Sequence, residues 1–490
     1  MQVHVKRRDV TFNPDLSRVI ARYFYTGDER SAIIVKSILD LSDDEVKNQL
    51  NQILRRYSKR HRNISKVFEK HFDLLNHLLS QMEIDRNKVD TNRRVLIGAY
   101  FTMEYSVEAA AFFNPSIVES PDQLGLLPGE KRVILSFRAT GEGHLSSIVF
   151  RSGIVDRDGN FKMDPVGSML AEAERIKRHL YNKKQFLQDL EELQDHQDNL
   201  IPKDALSCLG DDFTYGELES CIKEVMEREG ITSMEENSCY SKIMWLASSH
   251  YEIDFSLDSS LCERVIFPIS STERRGIEDA RFVKFTDEGM TQYYGTYTAY
   301  DGMTTMPKLI ETSDFYHFKV HPLHGNIARN KGMALFPRKI RGKYAMLCRM
   351  DGRNNYISFS DNLNLWTEAK MVQSPRYTWE FIQVGNCGSP LETEDGWLVI
   401  THGVGAMREY VLGAILLDLE NPEVEIGRLD SPLLTANEME REGYVPNVVY
   451  SCGSIIHNEE LILPYAVSDY SSTYCTVNLR ELLAELKREK

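Results

Sequence analysis

The chain has 490 residues, of which 42% are hydrophobic and 27% charged, and its formal net charge is −15. This balance is typical of folded globular proteins, and the acidic charge argues against binding to the phosphate backbone of nucleic acids. No apolar run approaches the roughly 20 residues that cross a bilayer, and the start of the chain lacks a signal-peptide core, so we expect a cytoplasmic protein without membrane contact. The eight cysteines show no CxxC spacing, and we predict that they are reduced and bind no metal.

Residues 1–94 are predicted to form a helical extension after a short extended start. Ser42 is followed three positions later by Glu45, which is the spacing of a capping box, and apolar residues then recur at helical spacing. Asn63 is a candidate N-cap for a further helix of the same kind. We interpret these helices as packing elements.

From residue 95 the pattern changes to short apolar or alternating runs separated by Gly, Asn, Asp and Pro, which is typical of antiparallel strands. A helical insertion at about residues 165–255 interrupts this domain of residues 95–490, and within it Thr214 and Glu217 have capping-box spacing. Many short strands at regular spacing indicate a sandwich, a barrel or a propeller, and the recurrence of aromatic-rich strands with polar turns favours a propeller.

Charged side chains interrupt the apolar strands about once per strand cluster, as expected for a polar funnel at one end of a closed β structure. A carboxylic acid in such a place can protonate the leaving oxygen of a sugar, and cationic side chains can hold an oxyanion. Because Glu278 and Asp279 are adjacent in a strand, we predict that they point to opposite faces and that only one faces a substrate. Structural ion pairs are the alternative explanation. The residues concerned are Arg138, Glu278, Asp279, Arg281, Asp301, Lys331, Arg349, His402, Arg408 and Asp469.

The sequence resembles glycoside hydrolase family 130, the mannoside phosphorylases and related β-mannosidases, from about residue 95 to 480 outside the insertion. The similarity rests on GIEDARFV, YYGTYTAYDG, KGMALFPRKIRGKYAMLCR, GWLVITHGVGAMREYVLGAILLDL and a tail similar to Y-G-A-A-D, which follow each other in the family's order. The resemblance implies an all-β fold, a five-bladed β-propeller with a central active site, to which the helical extension and insertion are added. It also implies that the enzyme needs no metal or cofactor and that inorganic phosphate is its co-substrate.

By matching position, the resemblance implies a role for individual residues. Asp279 would be the general acid of an inverting phosphorolysis that cleaves β-mannosides or mannooligosaccharides and releases α-mannose 1-phosphate, with its proton passed through a sugar hydroxyl. The remaining roles are sugar binding by Asn114, Arg138, Glu278, Arg281, Tyr300, Asp301 and Asp469, and phosphate binding by Lys331, Arg349, His402 and Arg408.

Departures from the family pattern leave an alternative open. Ala280 replaces the usual proline, YAVSD replaces Y-G-A-A-D, and Gln383 stands where phosphorolytic members often carry Lys. The alternative is an inverting β-mannosidase in which Glu380 activates water, and a third hypothesis is a carbohydrate-binding propeller without catalysis. The helical extension and insertion are expected to wall off the sugar channel or to form a homo-oligomer interface.

Overall fold

The computed structural model of the protein describes residues 3–167, 169–176, 180–192, 206–231 and 238–488. Over these residues the chain is mainly β, with strands in five sheets of four to six strands and in two sheets of two strands. This confirms the prediction of a mainly β chain that also contains helical regions. No helix within the described ranges is long and apolar enough to cross a membrane.

The N-terminal region is helical between two short strands, as predicted. Ser42 and Glu45 form the expected capping box, but the side chain of Asn63 makes no capping hydrogen bond, because its backbone is left-handed with a φ of 47°. The change to strands comes later than residue 95, since the last helix of this region continues to Tyr100. The elements are β1 (Val5–Arg7), β2 (Val19–Tyr23), α1 (Asp28–Leu39), α2 (Asp43–Tyr57), α3 (Ile64–Asp73), α4 (Asn76–Gln81), α5 (Thr91–Tyr100) and β3 (Thr102–Ser106).

Five consecutive sheets, here called sheets 1 to 5, make up most of the remaining chain. Sheet 1 contains β4 (Ala111–Glu119), β5 (Lys131–Thr140), β6 (Ser146–Val155) and β7 (Phe161–Met163). After the insertion, sheet 2 contains β14 (Ile277–Asp287), β15 (Met290–Tyr300), β16 (Thr305–Thr312) and β17 (His317–Pro322). Sheet 3 contains β18 (Ala334–Leu335), β19 (Tyr344–Cys348), β20 (Asn355–Ser360) and β21 (Ala369–Gln373).

Sheets 4 and 5 complete the series. Sheet 4 contains β22 (Gln383–Asn386), β23 (Leu391–Thr393), β24 (Gly396–Val404), β25 (Tyr410–Leu417) and β26 (Glu425–Arg428). Sheet 5 contains β27 (Val449–Tyr450), β28 (Ile455–His457), β29 (Glu460–Val467) and β30 (Ser471–Asn478), and helix α9 (Leu479–Leu486) follows it.

The sheets pack on one another in a circular order. Hydrophobic cores join sheet 1 to sheet 2, sheet 2 to sheet 3, sheet 3 to sheet 4, sheet 4 to sheet 5, and sheet 5 back to sheet 1. In addition, β1 pairs with β30, so the first strand of the chain is an edge strand of sheet 5. The burial of apolar side chains between neighbouring sheets is the main stabilising contribution in such an arrangement.

The insertion between sheets 1 and 2 is partly helical. Thr214 and Glu217 form the predicted capping box. The expectation that this insertion is helical is wrong at residues 171–172, 174–175 and 180–182, which pair as short strands. It is confirmed at Lys183–Glu192, and residues 193–205 lie outside the described ranges. The elements are β8 (Ala171–Glu172), β9 (Glu174–Arg175), β10 (Leu180–Asn182), α6 (Lys183–Glu192), β11 (Asp212–Thr214), α7 (Tyr215–Glu229), α8 (Ser238–Ser249), β12 (Tyr251–Asp254) and β13 (Arg264–Ile266).

The cysteines differ from the prediction in one place. Cys208 and Cys221, in the insertion, form a disulfide across a Cα–Cα distance of 5.9 Å, so the expectation that every cysteine is reduced is wrong for this pair. Cys387 and Cys452 are buried thiols. Cys208 and Cys221 are 13 positions apart and form no CxxC motif, so their spacing did not indicate a disulfide. Cys221 lies in α7, and only the packing of this helix places it next to Cys208.

Candidate active site

Asp279 lies in a β-bulge of β14. Two residues of this strand face a single residue of β15 between Glu278 and Arg281, and Asp279 has a φ of 56°, a left-handed conformation that Asp tolerates better than most residues. Glu278 lies 2.8 Å from Nη2 of Arg138, and Asp279 lies 3.4 Å from its Nη1. The prediction that the two carboxylates point to opposite faces is therefore wrong, since the extra residue breaks the alternation of the strand.

A second bulge brings Asn114 to Asp279. The pairing of β4 with β5 shifts between Phe113 and Ser116, and Asn114 has a φ of 50°. Its Nδ2 donates a hydrogen bond of 2.7 Å to Oδ1 of Asp279. Sheets 1 and 2 thus each contribute a bulged strand to one polar cluster.

The charges around Asp279 favour its ionised form. Burial alone raises the pKa of this carboxyl, but the positive charges of Arg138 and Lys331 and the hydrogen bond from Asn114 outweigh burial and hold the pKa below its usual value. Lys331 forms an ion pair with Glu278 and is 42% exposed, so it lies at the solvent side of the cluster. Asp279 is therefore a carboxylate at neutral pH in the unliganded protein.

Asp469 is shifted in the opposite direction. It lies in the turn between β29 and β30 with a φ of 50°. Burial and the negative charge of Asp279 raise the pKa of Asp469 to about 6, against the opposing charges of Arg138 and Arg408. The cluster thus contains two acids whose environments separate their pKa values, a feature common at catalytic sites.

Arg281 belongs to a second polar group on the other side of the bulge. Its Nη2 donates to the hydroxyl of Tyr450 at 2.7 Å, and its Nη1 donates to the side chain of Asn386 and to the main-chain oxygen of that residue. The Nδ2 of Asn386 in turn donates to the carbonyl oxygen of Gly332 at 2.7 Å. These contacts hold a buried guanidinium between sheets 2, 4 and 5.

His402 and Arg349 continue this second group. Nη1 of Arg349 lies 3.0 Å from Nε2 of His402, and because a guanidinium only donates, Nε2 accepts and the ring proton is on Nδ1, which lies 3.7 Å from Sγ of Cys387. Burial, together with the charges of Arg349 and Arg281, lowers the pKa of His402 well below 6.5. His402 is thus neutral, and it orients Arg349 instead of adding a cation as the sequence suggested.

Gly385 makes room for this pair. A Cβ at residue 385 would lie 2.6 Å from Cε1 of His402 and 3.4 Å from Cδ of Arg349, so a larger residue would displace His402, the hydrogen-bond partner of Arg349. Gln383, two residues earlier in β22, lies 3.5 Å from the hydroxyl of Tyr410, whose ring stacks on His402 at 5.9 Å.

Three other predicted residues make no direct contact with Asp279 in the described part of the chain. The carboxylate of Asp301 accepts from the main-chain nitrogens of Met303 and Thr304, at 2.8 and 2.7 Å, and Tyr300 donates to the oxygen of Gly302. Both residues therefore shape the turn after β15. Arg408 lies exposed in the turn between β24 and β25, and its charge reaches Asp469.

Glu380 is fully buried. One of its oxygens accepts from the main-chain nitrogens of Arg376 and Tyr377, at 2.7 and 3.0 Å, and from Nη1 of Arg428 at 3.1 Å. Its relative exposure is 0%. A carboxylate that is sealed from water and paired with Arg428 is poorly placed to activate a water molecule.

The sequence analysis missed Asn386, Tyr450 and Cys387. The only local signal was a polar residue followed by a cysteine in GNCGSP, at the end of an apolar strand. Their importance depends on contacts with Arg281 and His402 from other sheets, and these contacts cannot be read from neighbouring residues.

Comparison with known protein families places this chain among carbohydrate-active proteins. The sequence profile of glycoside hydrolase family 130, described as beta-1,4-mannooligosaccharide phosphorylase, matches residues 242–488. The chain belongs to glycoside hydrolase family 130. The match confirms the resemblance seen in the sequence, and it includes Asp279 and Arg281 in β14, Arg349 directly after β19, and His402 in β24.

Individual relatives are similar to this chain over part of its length. The 1,2-beta-oligomannan phosphorylase of Thermoanaerobacter sp. strain X514 is 38% identical over 208 residues, which are 40% of this chain and 66% of that protein, just under two thirds of its length. The beta-1,2-mannobiose phosphorylase of Listeria innocua is 29% identical over 277 residues, 55% of this chain and 74% of that protein. The solved structure of the Listeria innocua enzyme with beta-1,2-mannobiose covers 79% of this chain and 94% of its own, at 22% identity and a TM-score of 0.47.

Proposed function

We propose that the protein is an inverting phosphorylase, which cleaves β-mannosides or mannooligosaccharides with inorganic phosphate and releases α-mannose 1-phosphate. The observation that carries the proposal is the position of Asp279, which shares Arg138 with Glu278 next to the group formed by Arg281, Arg349 and His402. Membership of family 130 supports a β-mannoside substrate. The relatives are named for β-1,2 and β-1,4 linkages, so both linkages are candidates.

In this proposal Asp279 is the general acid. Phosphate attacks the anomeric carbon from one face while the bond to the leaving oxygen breaks on the other, and the proton of Asp279 reaches that oxygen through a sugar hydroxyl. The carboxyl must first be protonated. A bound phosphate near Lys331 and Arg349 would offset their positive charges and raise the pKa of Asp279, because a nearby anion disfavours a second negative charge.

The phosphate side of the site is supplied by Arg349, Lys331 and Arg408. Nε of Arg349 is buried and has no hydrogen-bond partner among the described residues, so an oxyanion would satisfy it. Arg408 forms no ion pair with any residue that the structure describes, and its side chain is exposed to an incoming ligand. The buried pair of Glu380 with Arg428 favours phosphate over water as the nucleophile.

The architecture belongs to the same proposal. The circular packing of sheets 1 to 5 supports a five-bladed propeller with the site at its centre, formed by the strands after Tyr100 with the insertion at about residues 165–255, and joined by edge strand β1. The helices between Asp28 and Tyr100 are then an added extension. The absence of a cofactor, the cytoplasmic location and a homo-oligomer stay predictions, and light scattering tests the last of these.

The decisive assay compares reactions with and without phosphate. The protein is incubated with β-1,2- and β-1,4-linked mannobiose and longer oligosaccharides, and the products are followed by NMR. We expect α-mannose 1-phosphate to appear only when phosphate is present. Free mannose without phosphate would identify a hydrolase, and binding without turnover of any of these sugars would favour the non-catalytic hypothesis.

A further inference from the structure

A second cluster of chemically active side chains lies where the helical insertion meets sheet 2. Asp189 is on α6, His250 follows α8, and His324 follows β17. Each offers one ligand atom, and these atoms lie within 4.8 Å of one another. Three separate segments of the chain thus bring two imidazoles and one carboxylate to the same buried place. None of these residues has a role in the proposed reaction.

The hydrogen bonds of His250 and Asp189 orient both groups towards a common point. Nδ1 of His250 donates to the main-chain oxygen of Leu246 at 3.1 Å, and Nε2 of the same ring lies 3.7 Å from Oδ2 of Asp189. Oδ1 of Asp189 accepts from Nε2 of Gln185 at 2.9 Å, which leaves Oδ2 to face the histidine. A metal-binding histidine usually donates its other ring proton to a carbonyl in this manner, and a ligating carboxylate is likewise held by a second hydrogen bond.

His324 supplies an independent observation. Its side chain is 3% exposed, and neither ring nitrogen has a hydrogen-bond partner in the described part of the protein. Buried polar groups in folded proteins almost always have a partner, and leaving one without costs free energy. A cation between His324, His250 and Asp189 would give the imidazole of His324 the partner that it lacks.

We propose that Asp189, His250 and His324 bind a divalent transition metal, with Zn²⁺ as the expected ion. Two imidazole nitrogens and one carboxylate oxygen are a common donor set for this ion. Tetrahedral donors at Zn–ligand distances of about 2.0–2.2 Å lie roughly 3.3–3.6 Å apart, so donor atoms that are now up to 4.8 Å apart must move closer when the ion binds. The metal joins α6 of the insertion to the segment that follows sheet 2 and therefore has a structural role.

Metal binding by the wild-type protein is the first test. Protein stripped with EDTA is dialysed against Zn²⁺, and its metal content and melting temperature are measured. We expect one equivalent of Zn²⁺ per chain and a rise in Tm of about 3–5 °C at a hundredfold excess over Kd. Co²⁺ in place of Zn²⁺ should give the visible absorption of a site with nitrogen and oxygen ligands. Wild-type protein that takes up no Zn²⁺ at micromolar concentrations would overturn the proposal.

Variants then assign the ligands. His324→Phe fills the same space without a ligand atom and should abolish the Zn²⁺-dependent rise in Tm, whereas His77→Phe, at a histidine that is 53% exposed, should keep it. Gln185→Met provides a second test in case His324→Phe does not fold. This variant keeps all three ligands but removes the hydrogen bond to Asp189, so it should weaken Zn²⁺ binding roughly 10- to 100-fold. Unchanged affinity in both His324→Phe and Gln185→Met would rule out this site. Since the readouts are metal content and Tm, the result does not depend on the proposed phosphorolysis.

Discussion

Asn114 donates a hydrogen bond of 2.7 Å to Oδ1 of Asp279, although the two residues are 165 positions apart in the chain. Both lie in β-bulges, and both have a left-handed backbone, with φ values of 50° and 56°. Such conformations cost free energy and persist where the surrounding structure enforces them, often at functional sites. The hydrogen bond between Asn114 and Asp279 fixes the direction of the Asp279 carboxylate.

Replacement of Asp279 by Asn should abolish sugar cleavage and leave the fold intact. The amide has nearly the same shape but cannot supply the proton, so we expect kcat to fall by roughly 10²- to 10⁴-fold. Release of mannose 1-phosphate measures the loss, and circular dichroism checks the fold. Asp361→Asn is the matched control, because Asp361 is 79% exposed and, among the residues that the structure describes, forms an ion pair only with Lys343. Full activity of the Asp279→Asn protein would refute the assignment of the acid.

Replacement of Asp469 by Asn should stabilise the protein at neutral pH. The pKa of Asp469 is raised from 3.8 to about 6 in the folded protein, so its ionisation there costs more free energy than in the unfolded chain. This cost is fully present above pH 6, decreases as the pH falls, and is absent below pH 3.8. The gain in the free energy of unfolding should be at most about 3 kcal/mol at pH 7.5.

Urea unfolding at pH 7.5 and pH 4.5 tests this dependence, again with Asp361→Asn as the control. Asn accepts the left-handed backbone of residue 469, so the substitution adds no strain of its own. A gain of the same size at the two pH values would mean that the charge of Asp469 is not its cause. Because Asp469 is also a proposed sugar ligand, we expect the stabilised variant to lose activity.

Gly385→Ala should weaken the use of phosphate. The added Cβ would lie 2.6 Å from Cε1 of His402, so His402 must move and Arg349 loses the hydrogen bond that orients it. We expect the KM for phosphate to rise roughly 10- to 100-fold, while the KM for the sugar changes much less. Gly216→Ala serves as the control, since no atom lies within 4 Å of its added Cβ. Equal phosphate KM values in the two variants would show that Arg349 does not bind phosphate.

Glu380→Gln should affect stability and not the type of reaction. The substitution weakens the buried ion pair with Arg428, so we expect the free energy of unfolding to fall by about 2–4 kcal/mol. Mannose 1-phosphate should still form at a temperature where the variant is folded. A folded variant that has lost only phosphate-independent release of mannose would instead support the hydrolytic role predicted as the alternative.

Features that depend on neighbouring residues were determined by the sequence itself. The capping boxes at Ser42 and Thr214 involve partners three positions away, and the structure contains both. The mainly β character follows from alternation and turn residues over short windows, and the order of motifs such as GIEDARFV was sufficient to recognise the family. Such signals are local, so no knowledge of the packed chain is needed to read them.

The tertiary structure decided what the charged residues do. Glu278 and Asp279 share Arg138 because a bulge adds a residue to β14, and strand alternation cannot predict a change in register. Arg428, 48 positions away, pairs with the buried carboxylate of Glu380. Burial, together with the charges of Arg349 and Arg281, lowers the pKa of His402 and keeps its ring neutral. Charge states and side-chain directions follow from burial and from partners on other sheets, and these are set only when the sheets pack together.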